Sequence, residues 1–137
     1  MKYHIFEQLL KDKNISFEKE VLLKDLMPKP EFFKHKFRCD YVIKHTNKFH
    51  KLIIEIEGGT FTQGRHNNSV GSWNDILKYN AVIFAGFPII KFTAIMIKDN
   101  PVQVVDLIDK YVNHTLTTED INNFTKNFKI KPKKRKP

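Results

Sequence analysis

The segment 52–57, Leu-Ile-Ile-Glu-Ile-Glu, constrains the fold of this chain more than any other feature. Its alternation predicts a β-strand, because successive strand side chains point to opposite faces of the sheet. Glu55 and Glu57 then share one face, about 7 Å apart along the strand, and the aliphatic residues at even positions enter the core. Any half-buried strand whose carboxylates face water shows the same alternation.

A second strand is predicted over 37–43, and a polar connection joins it to the strand predicted over 51–57 as a hairpin. In this pairing Asp40 lies near Glu55 across the ladder. Carboxylates that share one face raise one another's pKa unless a cation compensates. Asp40, Glu55 and Glu57 therefore form a predicted site for Mg²⁺ or Mn²⁺, where a metal-bound water could attack a phosphodiester.

The net charge of +9 favours a polyanionic partner. The charge is uneven, since residues 129–137 carry six of the basic side chains. We expect residues 1–128 to form one domain and the remainder to form a basic, disordered tail. Lys133, Lys134 and Arg135 in this tail either bind nucleic acid or are simply solvated. The tail also resembles a nuclear import signal, a pattern that short basic runs match often by chance.

The composition argues against several other classes of protein. The single cysteine, Cys39, excludes an internal disulfide, and Cys-x-x-Cys spacing is absent, which argues against structural zinc. Residues 1–10 are too polar for a signal peptide, and the apolar stretch near 81–90 is too short to span a membrane. We therefore expect an intracellular protein without membrane association, in the cytoplasm of a bacterial host if the chain is viral.

Hydrophobic periodicity predicts the order α-β-β-β-α-β-α, an α/β domain with a mixed central sheet flanked by helices. Asn14 and Gly86 are expected to end helices, Ser72 and Asp75 to form a capping box, and Asn100 to cap the last core helix. The predicted elements are helix 2–12, strand 15–23, loop 25–31, strands 37–43 and 51–57, helix 72–85, strand 88–93, a helix from 101 and a short helix over 118–125.

The segment 37–93 resembles the PD-(D/E)XK superfamily of restriction-type nucleases and junction resolvases. That family places an Asp on a hairpin strand and Glu-x-Lys on the next strand. Asp40 and Glu55 match this pattern, and Glu57 stands where the family usually has Lys. The resemblance implies a restriction-endonuclease-like core and metal-dependent hydrolysis of DNA.

The likeness is closer to a group of mostly phage-encoded, Holliday-junction-resolvase-like nucleases. These carry Glu-x-Glu-Gly-Gly, then Gly-Arg-His, then Asp-x-x-Lys-Tyr-Asn, which this chain has at 55–59, 64–66 and 75–80. The resemblance implies that Arg65 and His66 contact phosphate. Gly58 and Gly59 would let the backbone approach DNA or metal, or would simply end the strand.

The resemblance also implies a role for Lys78. It would supply the positive charge that the motif strand lacks because Glu57 stands where the family usually has Lys. Helical geometry opposes this role, because Lys78 points nearly opposite an apolar face that we expect to pack in the core. That face comprises Trp73, Ile76, Asn80, Ile83 and Phe84. Glu7 or Glu20 would supply a further metal-linked carboxylate, although both also fit a solvated surface.

The function implied by the resemblance is that of a Mg²⁺-dependent endonuclease acting on branched or duplex DNA. Junction cleavage requires two symmetrically related sites, so a C2 homodimer would follow. Two alternatives stay open. One is a sequence-specific endonuclease of the restriction, homing or repair type, and the other is a non-catalytic nucleic-acid-binding protein on the same fold.

Overall fold

The structure, a computed structural model, describes residues 3–44, 51–58 and 69–130. Its elements follow the predicted order, with additional helices after the last strand. The elements are α1 His4–Asp12, β1 Ser16–Leu22, β2 Arg38–Lys44, β3 Leu52–Glu57, α2 Ser69–Phe84, β4 Ile89–Thr93, α3 Ala94–Asp99, α4 Pro101–Val112 and α5 Thr118–Phe128, with 3₁₀ turns at Leu23–Leu26 and Pro30–Phe32.

The strands form one mixed sheet in the order β1-β2-β3-β4. The first three strands are antiparallel neighbours, and β4 runs parallel to β3. Helix α2 makes the crossover that a parallel pair requires. The predicted α/β class with a mixed sheet is therefore confirmed.

Hydrophobic side chains cover both faces of this sheet. On one face, Tyr41 and Ile54 pack with residues of α1, α3 and α4. On the other face, Val42 and Ile53 pack with Val82 of α2. Both faces of β3 are buried, whereas the sequence predicted that only its even-numbered side chains would enter the core.

Helix ends follow the predicted signals in part. Asn14 and Gly86 follow α1 and α2 with φ of 59° and 93°, the left-handed conformation that commonly ends a helix. The capping box at Ser72 is wrong, because α2 begins at Ser69. Asn100 precedes α4, but its side chain caps no backbone N–H.

Helix α3 was not predicted. It begins directly after β4, where the Thr93 side chain accepts a hydrogen bond from the Met96 N–H at 3.1 Å. The segment predicted as a loop over 25–31 contains parts of both 3₁₀ turns. Within the three described ranges, no helix is long and apolar enough to cross a membrane.

Candidate active site

The carboxylates of Asp40 and Glu55 each accept a backbone hydrogen bond from the opposite strand where β2 and β3 separate. The Asp40 N–H donates to Glu55 Oε2 at 2.7 Å, and the Ile56 N–H donates to Asp40 Oδ2 at 2.7 Å. The regular ladder ends one pair earlier, at Tyr41 and Ile54. Carboxylate oxygens therefore replace backbone carbonyls as acceptors at this point. The predicted proximity of Asp40 and Glu55 is confirmed.

Lys78 reaches this pair from helix α2. Its ammonium contacts the Glu55 carboxylate as an ion pair and donates to the Arg38 carbonyl at 3.2 Å. Burial raises the pKa of Glu55, and this outweighs the opposing effect of its hydrogen bonds with Lys78 and Asp40. Burial alone would lower the pKa of Lys78, but Glu55 and Asp40 raise it overall, so the ammonium stays protonated at neutral pH.

Glu57 has a different cationic partner, Lys91. Lys91 Nζ lies 3.3 Å from Glu57 Oε1 and 4.3 Å from the centroid of the Tyr79 ring. Lys91 belongs to β4, where it pairs in register with Glu55. Lys91 was not among the residues predicted for the site. The alternation of β4 predicts which face of the strand Lys91 occupies, but it does not predict that β3 is the parallel neighbour of β4.

These side chains line a pocket of about 240 Å³ between the end of β3 and helix α2. Its volume corresponds to about eight waters at ~30 Å³ each, enough for a hydrated cation or a phosphate group. The lining residues are Asp40, Glu55, Ile56, Glu57, Gly58, Asp75, Lys78, Tyr79, Ile89 and Lys91. The pocket thus holds carboxylates and ammonium groups in close alternation.

The carboxylates suit a divalent cation only in part. In the described portion of the chain, no group of three or more acidic, His or Cys side chains is already arranged as a ligand set. Lys78 and Lys91 hold the two glutamates, while Asp40 Oδ1 accepts no hydrogen bond from a described residue. Hard oxygen ligands remain the right donors, since Mg²⁺ is commonly held by one or two carboxylates together with waters and phosphates.

The apolar face predicted to pack in the core is instead exposed, which corrects the expected orientation of α2. Exposed fractions are 68% for Trp73, 58% for Ile76, 46% for Ile83 and 85% for Phe84, and Asn80 is exposed as well. The helix faces the sheet through Val82 and Lys78. This orientation places the Lys78 ammonium opposite the buried Glu55 carboxylate.

Glu7 and Glu20 are not brought to this pocket. Glu7 accepts a hydrogen bond from the Tyr41 hydroxyl at 2.6 Å and an ion pair from Lys19 at 3.3 Å. Since Tyr41 packs on the α1 side of the sheet, Glu7 serves the opposite face from Glu55. Glu20 is exposed, with φ of 53°. Neither residue lines the pocket, so the structure does not bring the predicted further carboxylate to it.

The remaining predicted residues divide by position. Gly58 lines the pocket, and a Cβ added there would meet the Ala94 side chain at an ordinary 3.6 Å, so crowding does not explain the glycine. The other predicted nucleic-acid contacts lie outside the described residues. They are Gly59, Arg65, His66, Lys133, Lys134 and Arg135.

Cys39 lies beside the site without being available to it. Its side chain is fully buried, and burial raises the pKa of the thiol to about 12. The thiol therefore stays protonated at neutral pH and cannot act as a thiolate nucleophile.

Comparisons with models of known protein families, with curated proteins and with solved structures found no match to this chain.

Proposed function

We propose that this chain is a metal-dependent endonuclease of the PD-(D/E)XK kind that hydrolyses DNA phosphodiester bonds. The supporting observation is the convergence of Asp40, Glu55 and Lys78 at the open end of the hairpin. Carboxylates can hold a divalent cation, and a protonated lysine can stabilise the charge that develops on a phosphate during hydrolysis. Lys78 thus supplies the positive charge that Glu57 removes from the motif strand.

Each side chain has a distinct task in this proposal. Asp40 and Glu55 hold Mg²⁺ or Mn²⁺, which when bound supplies charge neutralisation and lowers the pKa of water. Lys78 stabilises the negative charge that develops on the phosphate. Glu57, held by Lys91, orients the attacking water. With a cation held by Asp40 and Glu55, the negative charge of Glu55 would be compensated without Lys78, and the Lys78 ammonium would be available to the phosphate.

The proposed substrate is branched DNA, cut by a symmetric homodimer. The outer face of α2 supports association of two copies, since Trp73, Ile76 and Phe84 expose large apolar surfaces there. Aromatic side chains of this size contribute about 150–250 Å² each when buried. A C2 pairing through this helix would set two pockets in the symmetric arrangement that junction cleavage requires.

The test is cleavage of a four-way junction, a linear duplex and a single strand in parallel, with Mg²⁺ or with chelator. We expect Mg²⁺-dependent cutting, strongest on the junction. Glu55→Gln and Asp40→Asn should reduce cutting at least 100-fold with DNA binding retained. Glu18→Gln is the matched control, because Glu18 pairs with Lys44 on the surface. Cutting that survives in Glu55→Gln contradicts the proposed site.

A second candidate function is a non-catalytic nucleic-acid-binding protein on this fold. One observation favours it: Glu55 and Glu57 each already have a lysine partner, so the charge of both glutamates is compensated without metal. This function predicts DNA binding that is unaffected by Mg²⁺ and no cutting of any of the three substrates. The same experiment therefore decides between the two functions.

A further inference from the structure

The segment 33–38 alternates aromatic and basic side chains on its way to the candidate active site. It reads Phe-Lys-His-Lys-Phe-Arg and connects the second 3₁₀ turn to β2. Its three rings contact one another: Phe33 and His35 have centroids 5.6 Å apart, and His35 and Phe37 are 5.5 Å apart. The basic side chains occupy the intervening positions. We call this segment the basic–aromatic strip.

The His35 ring lies over a fixed aromatic base. Phe33 and Phe37 are half-buried and pack against the core cluster on the α2 side of the sheet. His35 itself is exposed, and its ring is within 13° of parallel to Phe37. An exposed flat ring whose orientation is set from below is a platform on which a further ring can stack.

The basic side chains of the strip lack acidic partners among the described residues. Lys34 and Lys36 are exposed and take part in none of the ion pairs, whereas Lys19, Lys78 and Lys91 each have a carboxylate within reach. The Arg38 guanidinium is also exposed and donates to the Glu20 carbonyl at 3.1 Å. Among the described residues, no carboxylate forms an ion pair with these three basic side chains.

The strip leads directly into the pocket. The Arg38 carbonyl accepts a hydrogen bond from Lys78, and Asp40 follows two residues later. Lys36 and Lys34 precede Asp40 by four and six residues on the same segment.

We propose that the basic–aromatic strip binds the DNA strand that enters the active site, and that this strand carries an unpaired base there. Lys34, Lys36 and Arg38 contact its phosphates, and His35 stacks on the base. Base faces inside a duplex are already stacked, so only an unpaired nucleotide offers one to an aromatic side chain. Within the branched DNA of the proposed function, the favoured substrate therefore has an unpaired nucleotide beside the cut. The position of the cut rests on the proposed function, whereas binding by the strip does not.

The test is DNA binding by the full chain in chelator, measured by fluorescence anisotropy over a range of salt. The probes are a blunt duplex and the same duplex with a single-stranded extension. Lys34→Ala/Lys36→Ala should weaken binding to both probes and reduce the salt slope by about 1.8, at ~0.9 per phosphate contact. The matched control is Lys98→Ala/Lys126→Ala, which removes the same charge from exposed lysines of α3 and α5 and should leave the slope unchanged.

His35 variants separate stacking from charge. We expect His35→Ala to weaken binding to the extended duplex about tenfold with little effect on the blunt duplex, and His35→Tyr to restore it. Two results would overturn the inference. One is that His35→Ala weakens binding to the two probes equally, and the other is that the control pair of lysine variants loses as much affinity as the strip pair. If strip variants bind like wild type while cleavage persists, the inference fails alone. If binding maps to the strip without cleavage, the proposed function fails alone.

Discussion

Lys78 on α2 and Glu55 on β3 form an ion pair that joins helix to sheet beneath the candidate active site. The Glu55 side chain is 8% exposed and that of Lys78 is 22% exposed, so water screens the pair only partly. Lys78 faces the sheet in this pair, while larger apolar side chains of α2 face outward.

The first prediction concerns the stability of this pair. Lys78→Met should lower the free energy of unfolding at pH 7 by about 2 kcal/mol, because it leaves Glu55 buried without its cation. The double variant Lys78→Met/Glu55→Gln should recover part of this loss, since the uncompensated charge is gone. Urea unfolding of the wild type, both single variants and the double variant measures the coupling. Strictly additive losses would show that the two side chains do not interact.

The second prediction concerns Tyr41 and Glu7. Tyr41→Phe should destabilise the fold by about 1–3 kcal/mol, because buried Glu7 loses a 2.6 Å hydrogen bond. Cleavage should stay within twofold of wild type, since this network lies on the opposite face from Glu55. Thermal unfolding and junction cleavage are the two measurements. A cleavage loss in Glu7→Gln as large as that in Glu55→Gln would return Glu7 to the active site.

The third prediction concerns the outer face of α2. Ile83→Glu/Phe84→Glu should convert the proposed dimer into a monomer in light scattering at micromolar concentration, because it places charge on the proposed interface. Ile121→Glu is the control, since Ile121 is a similarly exposed apolar side chain on α5. A wild-type chain that is monomeric at these concentrations would refute the proposed pairing.

The fourth prediction is a pH dependence at the start of α5. Lys110 and the Thr117 cap lower the pKa of Asp120 from 3.8 to about 2. A lowered pKa in the folded state contributes stability above the unfolded value, and this contribution is lost as pH falls from about 4 through about 2. Asp120→Asn should therefore lower Tm at pH 6, and its difference from wild type should shrink as pH falls from about 4 towards 2. A Tm difference as large at pH 2 as at pH 6 would contradict this assignment.

The hairpin and its acidic pair could be predicted from the sequence because their signals are local. Strand alternation fixed the face of Glu55, and the short connection between the strands placed Asp40 opposite it. The orientation of α2 could not be predicted in this way. Helical periodicity identifies the more apolar face of α2. It does not show that the sheet beneath α2 presents the buried Glu55 carboxylate, with which Lys78 forms an ion pair.

Partners that depend on distant segments were also missed. Lys91 joins Glu57 only because β4 lies parallel to β3, and the Tyr41–Glu7 hydrogen bond spans 34 positions. Helix α3 was missed for a different reason. It has six residues and follows β4 with no intervening loop, so its periodicity is too short to separate from that of the strand.

The hydrogen bonds between Asp40, Glu55 and the backbone of the hairpin have a consequence for variation in this chain. The oxygens proposed to bind metal also close the seam between β2 and β3. A substitution that removes these oxygens should also weaken the pairing of β2 with β3, so selection for stability would favour the same two acids as the proposed catalysis. Substitution of either acid would therefore reduce both the stability of the fold and the proposed activity. A chain that lost the activity in this way would also be less stable.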